Sequence, residues 1–223
     1  MNKFTWPDHP PKVAFPIARP GYPIIFSAAF ITFVFALLGL TVPALTGILV
    51  TLFICYFFRD PDRPAPAGDD ILTSPADGKV IFAGITEGQP FIEGRCTKIS
   101  IFMSVFNVHV NRIPFDGEVT NIAYNPGKFF SANLDKASLE NEHNAVFIRT
   151  KTGADICVVQ IAGLIARRII CNVSKNDQVS RGRRFGMICF GSRLDVYLPE
   201  SFQLDVGVGD RVSATSSILG ILK

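Results

Sequence analysis

Residues 181–199 read Arg181-Gly-Arg-Arg-Phe-Gly-Met-Ile-Cys-Phe-Gly191-Ser192-Arg193-Leu194-Asp195-Val196-Tyr197-Leu198-Pro199, and their pattern decides the fold. Met187 to Phe190 is a short apolar run, and Leu194, Val196 and Leu198 then alternate with Asp195 and Tyr197. Alternation with a period of two marks a half-buried strand. The pattern predicts two strands with Gly191-Ser192 in a tight link between them. A serine there can turn its hydroxyl back onto the carbonyl that precedes it. Glycine leaves that carbonyl unshielded because it has no Cβ. An isolated Gly-Ser pair is an ordinary turn, so its surroundings carry the argument.

On either side of this stretch, short apolar segments recur between Gly and Pro turn signals. They cover residues 79–83, 97–105, 118–124, 145–149, 155–161, 184–190, 194–198 and 210–213. Punctuation at this spacing predicts a β-rich domain. Helical turns are expected only around residues 134–142 and 164–171. No period of the length used by solenoids or propellers recurs.

Residues 20–58 contain no charged side chain and are rich in Phe, Ile, Leu and Val. As one helix they would extend roughly 58 Å, nearly twice the ~30 Å hydrocarbon thickness. Gly39 and Pro43 lie near the middle, where a break is expected. Two apolar helices over residues 22–40 and 43–58, joined by a tight turn, fit better. A hairpin that crosses the bilayer and one embedded in a single leaflet both suit these lengths. Lys3, Lys12 and Arg19 precede the segment and Arg59 and Arg63 follow it, which puts both ends in the cytoplasm. A cleaved signal peptide is a poor match, because the apolar run is too long and starts too late. Residues 59–70 then form a proline-rich polar linker.

Net charge is +3, with basic residues in small groups such as Arg167-Arg168 and Arg181, Arg183 and Arg184. No nucleic-acid reading motif accompanies them. Such groups form a solvated face or, beside an apolar anchor, suit an anionic lipid surface. The five cysteines are scattered and never spaced as CxxC, so they read as small buried hydrophobes and argue against a disulfide framework. The three histidines, His9, His109 and His143, join no metal-ligand spacing. Neither a phosphate-binding GxxxxGK[ST] loop nor a dinucleotide fingerprint occurs.

Taken with four other segments, the Gly191-Ser192 region resembles the self-cleavage site of phosphatidylserine decarboxylases in their short bacterial form. The segments are Phe57-Phe-Arg-Asp-Pro-Asp-Arg63, Ser74-Pro-Ala-Asp-Gly-Lys-Val80, Val105-Phe-Asn-Val-His-Val-Asn-Arg-Ile-Pro114 and Gln160-Ile-Ala-Gly-Leu-Ile-Ala-Arg-Arg-Ile169. They keep the family's order across most of residues 57–199. The resemblance implies an α+β, β-rich protein: an N-terminal membrane helical hairpin followed by a mainly β barrel or sandwich catalytic domain. Its expected parts are a cytoplasmic segment (1–20), the hairpin (21–58), the linker (59–70) and the decarboxylase domain (71–223).

Removing a carboxylate from an amino acid requires an electron sink that no ordinary side chain supplies. The resemblance implies that this chain, a zymogen, makes its own as a covalent pyruvoyl group derived from Ser192, without a metal. The Ser192 hydroxyl would attack the Gly191 carbonyl and shift the chain from amide to ester. Loss of the Ser192 α-proton would then eliminate the Gly191 carboxylate, and loss of ammonia would leave the ketone. The products would be a large subunit (1–191) and a small subunit (192–223). The ketone would form a Schiff base with phosphatidylserine and release phosphatidylethanolamine. The implied partners are that lipid, the membrane and the two subunits of one precursor, with a homo-oligomer also compatible and no nucleic acid. The implied location is the inner membrane of a bacterium, with the catalytic domain on the cytoplasmic side.

A base is needed, and His109 suits proton transfer at neutral pH, with an ordinary pKa near ~6.5. On a strand between Val108 and Val110 it could equally be a structural hydrogen-bonder. Asp77 reads as a turn aspartate, and the resemblance assigns it the role of orienting the histidine. Many family members carry two histidines here, three apart; this chain has His109 and then Arg112. Arg112 could contact the lipid phosphate or carboxylate. A threonine commonly follows the processing serine, whereas this chain has Arg193. Lys128, in a loop at residues 124–130, could lie near the phosphate or simply in solvent. His143 reads as structural or substrate-adjacent.

Two other readings compete. A catalytically silent lipid-binding membrane protein of the same fold would explain the missing second histidine. A serine hydrolase would use Ser192 as nucleophile, but no GxSxG elbow surrounds it. Residues 74–80 and 204–220 also look like halves of a biotinyl or lipoyl carrier barrel, yet no methionines flank Lys79.

Overall fold

The computed structural model describes residues 16–87, 89–131, 140–164, 168–189 and 191–222. They fall into two compact units that divide between residues 62 and 63.

The first unit is a pair of apolar helices, α1 (Tyr22–Leu37) and α2 (Thr41–Phe57). The expected break is present. Gly39 takes a φ of +70°, the left-handed conformation glycine tolerates, and ends α1. The Gly39 N–H donates to Ala36 O and the Leu40 N–H to Phe35 O, which satisfies the last carbonyls of the helix. Pro43 falls in the first turn of α2, where its missing N–H costs nothing. Both helices are apolar all round and largely exposed; Phe26, Phe30, Phe33 and Leu49 all face outward. Arg19–Leu37 is long and apolar enough to cross a membrane. The hydroxyls of Thr32 and Thr51 bond back to Ala28 O and Gly47 O, each at 2.8 Å, and lie 3.5 Å apart between the helices. Neither needs water.

The second unit is made of strands β1 (Ile71–Thr73), β2 (Gly78–Thr86), β3 (Cys96–Met103), β4 (Val110–Arg112), β5 (Gly117–Asn125), β6 (His143–Thr150), β7 (Asp155–Ala162), β8 (Ile169–Cys171), β9 (Gln178–Val179), β10 (Arg184–Ile188), β11 (Ser192–Pro199), β12 (Gln203–Leu204), β13 (Arg211–Val212) and β14 (Ile218–Ile221). With the helical pair, this makes the protein α+β and β-rich. The large sheet runs β13-β2-β3-β11-β7-β6-β5-β9, and two small sheets run β4-β10-β8 and β1-β14-β12. Among the described residues, every pairing between these strands is antiparallel. All three sheets contribute to one core, with Ile101, Val158 and Val196 from the large sheet, Phe185 from the β4-β10-β8 sheet and Leu219 from the other.

Two expectations are corrected, and a third lies mostly outside the described residues. Residues 169–171 are not a helical turn but strand β8, because Gly186, Met187 and Ile188 offer them an open edge to pair with. The helical turn expected over residues 134–142 lies mostly outside the described residues. Finally, β11 is not half-buried. It sits between β3 and β7, and its outer side chains Arg193, Asp195 and Tyr197 are covered as well. Phe91 and Ile92 pack on the cluster around Tyr197. The charge of Asp195 is tolerated there because Arg193 Nε lies 2.6 Å away and Lys98 Nζ 3.4 Å away.

Candidate active site

Gly191 and Ser192 lie where the chain leaves the small sheet for the large one. β10 pairs with β4 and β8, whereas β11 pairs with β3 and β7, so the link between β10 and β11 changes sheets. Gly191 has φ +63°, which an L side chain adopts at a cost of about 1–2 kcal/mol. Among the described residues nothing lies within 4 Å of where its Cβ would stand, and the positive φ is what calls for glycine here. Ser192 is the first residue of β11, opposite Met103 on one side and Ala162 on the other. It is completely buried, and its Oγ donates to Met103 Sδ at 3.9 Å.

β4 brings a second set of groups alongside. Met187 of β10 pairs with Val110 and Gly186 with Asn111, which places His109 next to the strand that feeds the Gly-Ser link. His109 is fully buried, with Nδ1 2.9 Å from Asn107 O. A carbonyl only accepts, so Nδ1 carries the proton and Nε2 is the basic nitrogen. Asn111 is equally buried. Its Nδ2 donates to Met103 Sδ at 3.7 Å, and its Oδ1 accepts from Gln160 Nε2 at 2.9 Å. Gln160 Oε1 accepts in turn from Asn144 Nδ2 at 3.1 Å.

The Ser74–Asp77 turn abuts β4, since the Arg112 N–H donates to Pro75 O at 2.9 Å. Asp77 itself is held by a two-pronged ion pair with Arg63, in which Nη2 lies 2.8 Å from Oδ2 and Nη1 donates to Oδ1. The Ala214 N–H adds a third bond to Oδ1 at 2.8 Å. Among the described residues these are the partners of the carboxylate, and His109 is not one of them. The structure therefore puts His109 just before β4, which pairs with β10, Ser192 at the head of the strand that follows β10, and Asp77 on the turn that abuts β4.

The remaining candidates lie further out. Arg112 is buried in β4, opposite Arg184. Lys128 is exposed, with Nζ 3.3 Å from Glu140 Oε2 and 5.5 Å above the Phe130 ring. His143 is buried on the outer face of the large sheet, with Nδ1 2.8 Å from Asn141 O and its ring edge-on to Phe91. Burial pushes the thiols of Cys171 and Cys189 up, only partly opposed by hydrogen bonds at Cys171 and by Arg168 at Cys189. Both thiols therefore stay protonated at neutral pH, and Cys189 does not rival Ser192 as a nucleophile.

The phosphatidylserine decarboxylase family model matches residues 50–220. This chain belongs to the phosphatidylserine decarboxylase family. It is 50% identical to the phosphatidylserine decarboxylase proenzyme of Syntrophus aciditrophicus over 205 residues, covering 92% of this chain and 96% of the relative. The proenzymes of Syntrophotalea carbinolica and Desulfotalea psychrophila are also 50% identical, over 93% and 92% of this chain and 97% and 96% of their own lengths.

The structure adds four side chains to the site that the family motifs do not single out: Met103, Asn111, Gln160 and Arg63. Gln160 did leave a signal, since it is a lone amide within strand β7, which is otherwise mostly apolar. A buried amide in such a run must find partners, and that is a reason to ask which. Arg63 left none. It lies in the polar linker, 14 residues before the carboxylate it holds.

Proposed function

We propose that this protein decarboxylates phosphatidylserine to phosphatidylethanolamine with a pyruvoyl group that it makes from Ser192 by breaking its own chain after Gly191. Membership of the family carries this reading, and the burial of both Ser192, at the head of the strand that follows β10, and His109, just before the β4 that pairs with β10, supports it. The residues present fit such a group. Residue 192 already heads a strand held between two neighbours, so scission would leave its carbonyl end anchored at a buried position. Once formed, the ketone supplies the electron sink that decarboxylation needs.

The chain's own residues divide the remaining work. Ser192 Oγ is the nucleophile for the shift from amide to ester. His109 Nε2, left basic because Nδ1–H is engaged by Asn107 O, is the base for self-cleavage. Asp77 assists by fixing the turn that packs on the His109 strand segment, with Arg63 and Ala214 as its anchors. Arg193, the residue after the new terminus, is locked between Asp195 and Ser100 Oγ at 2.6 and 2.8 Å, so the head of the strand stays in register after scission. Lys128 and Arg112 are the cations assigned to the anionic groups of the lipid. The apolar helical pair tethers the domain to the inner membrane, on the cytoplasmic side that its flanking basic residues favour.

The test compares the full chain with Ser192→Ala in detergent micelles containing phosphatidylserine. The natural chain should split into two fragments and release phosphatidylethanolamine, and Ser192→Ala should do neither. An intact natural chain, with or without turnover of the lipid, would overturn the reading.

A further inference from the structure

The polar chain behind Ser192 has no part in the roles assigned so far. Two donors, Ser192 Oγ and Asn111 Nδ2, converge on the Met103 thioether at 3.9 and 3.7 Å. A thioether is a weak acceptor, and a buried amide N–H that lacks a good partner costs about 1–3 kcal/mol. The Asn111 amide cannot turn to improve its position. Its Oδ1 is held by Gln160 Nε2 at 2.9 Å, and Gln160 is fixed in turn by Asn144 and by Ile170 O at 3.3 Å. The network keeps an N–H pointed at the sulfur that the Ser192 hydroxyl also touches.

We infer that Asn111, oriented by Gln160, stabilises the carboxylate that departs during self-cleavage. The inference rests on the reading of Ser192 given above. The first step moves the Gly191 acyl group onto Ser192 Oγ, the atom that shares Met103 Sδ with Asn111. In the second step a base takes the Ser192 α-proton and the Cβ–Oγ bond breaks. Its electron pair leaves with Gly191 as a carboxylate, and residue 192 becomes dehydroalanine. Water then hydrolyses the imine tautomer and ammonia departs. Negative charge thus grows on an oxygen that touches the same sulfur as an N–H whose partner, among the described residues, is that sulfur. Exchanging a thioether for a developing carboxylate strengthens that bond mainly in the transition state, which is where it accelerates the step. Because the donor is parked on a weak acceptor, it loses little when it turns to the new one.

The test follows processing of the full chain in detergent over time. Asn111→Ala should slow the appearance of residues 192–223 by roughly 100-fold, the lower end of the scale seen when an oxyanion donor is removed. The elimination would then lag behind the shift, so the ester should accumulate. Hydroxylamine cleaves esters but spares amides, and it should release from this variant a 192–223 fragment headed by serine. Gln160→Ala should show the same trapping with a smaller delay. Met103→Leu, which removes only the resting acceptor, should accumulate no hydroxylamine-sensitive ester. The assignment is overturned if Asn111→Ala processes normally. It is equally overturned if that variant stalls without a hydroxylamine-sensitive link, or if Met103→Leu stops processing and so gives the role to the sulfur. A natural chain that never splits defeats the reading of Ser192; one that splits while ignoring Asn111 defeats only this inference.

Discussion

Asp77 is the site residue whose partners differ most from what its sequence context suggests, and removing its carboxylate should show how it acts. Arg63 and Asp77 retain 18% and 9% side-chain exposure, so their attraction is far less screened than that of a surface pair. Deleting one member of a buried pair costs about 3–5 kcal/mol. Arg63 keeps some access to water and a bond to Ala214 O at 3.3 Å, which puts Asp77→Ala at the low end, about 3 kcal/mol. Arg63→Met should lose about 2 kcal/mol, because the carboxylate keeps its Ala214 N–H donor at 2.8 Å. If each residue acts through the other, the double variant loses about 3 kcal/mol, a coupling of about 2 kcal/mol. The assay is chemical unfolding of the full chain in detergent, with every variant built on Ser192→Ala so that none is nicked. Losses that add, with a coupling below about 0.5 kcal/mol, would refute the pairing. With Ser192 restored, Arg63→Met should also slow self-cleavage even though Asp77 is intact. An unchanged rate would return Asp77 to a direct action on His109.

Two further perturbations probe the frame of the site. A Cβ on Gly186 would stand 2.2 Å from Ile170 O and 2.7 Å from Gln160 Nε2. Gly186→Ala should therefore push β8 from β10 and lower stability by about 1–3 kcal/mol, read from the unfolding midpoint, and an unshifted midpoint would contradict the packing. Burial also holds the Cys157 thiol and the Tyr197 phenol above their ordinary values of 9.0 and 10.0. Above about pH 9 the unfolded chain gives up these protons while the folded chain keeps them, so stability is complete below that pH and falls as pH rises past it. Unfolding free energies measured from about pH 7.5 to about pH 10.5 should decline, and Cys157→Ala should flatten the slope. A natural protein with a flat profile over that range would be inconsistent with these buried groups.

What could be read from the sequence followed the length of its signals. The long strands β3, β5, β6, β7 and β11 carry enough alternation to stand out, and the break at Gly39 and Pro43 is plain because the apolar run around it is uncharged. Strands of two to four residues, such as β1, β4, β9, β12 and β14, hold too few positions to display any period. β4 matters most among them, since it carries Asn111 and Arg112 and directly follows His109. The change of sheet at Gly191 was equally hidden, because alternation tells which face a side chain takes and not which strand lies beside it. Arg193, a cation near the start of β11, is among the largest fully buried side chains. Only the pairing of β11 with β3, which sets Lys98 and Ser100 beside Asp195 and Arg193, explains how it is accommodated.

The mass of the fragment comprising residues 192–223 tests the central claim most directly. The account predicts a terminus lighter than a serine-headed peptide by one ammonia, with a ketone that borohydride reduces. A serine-headed fragment, or a chain whose amide between Gly191 and Ser192 is still intact, would contradict it.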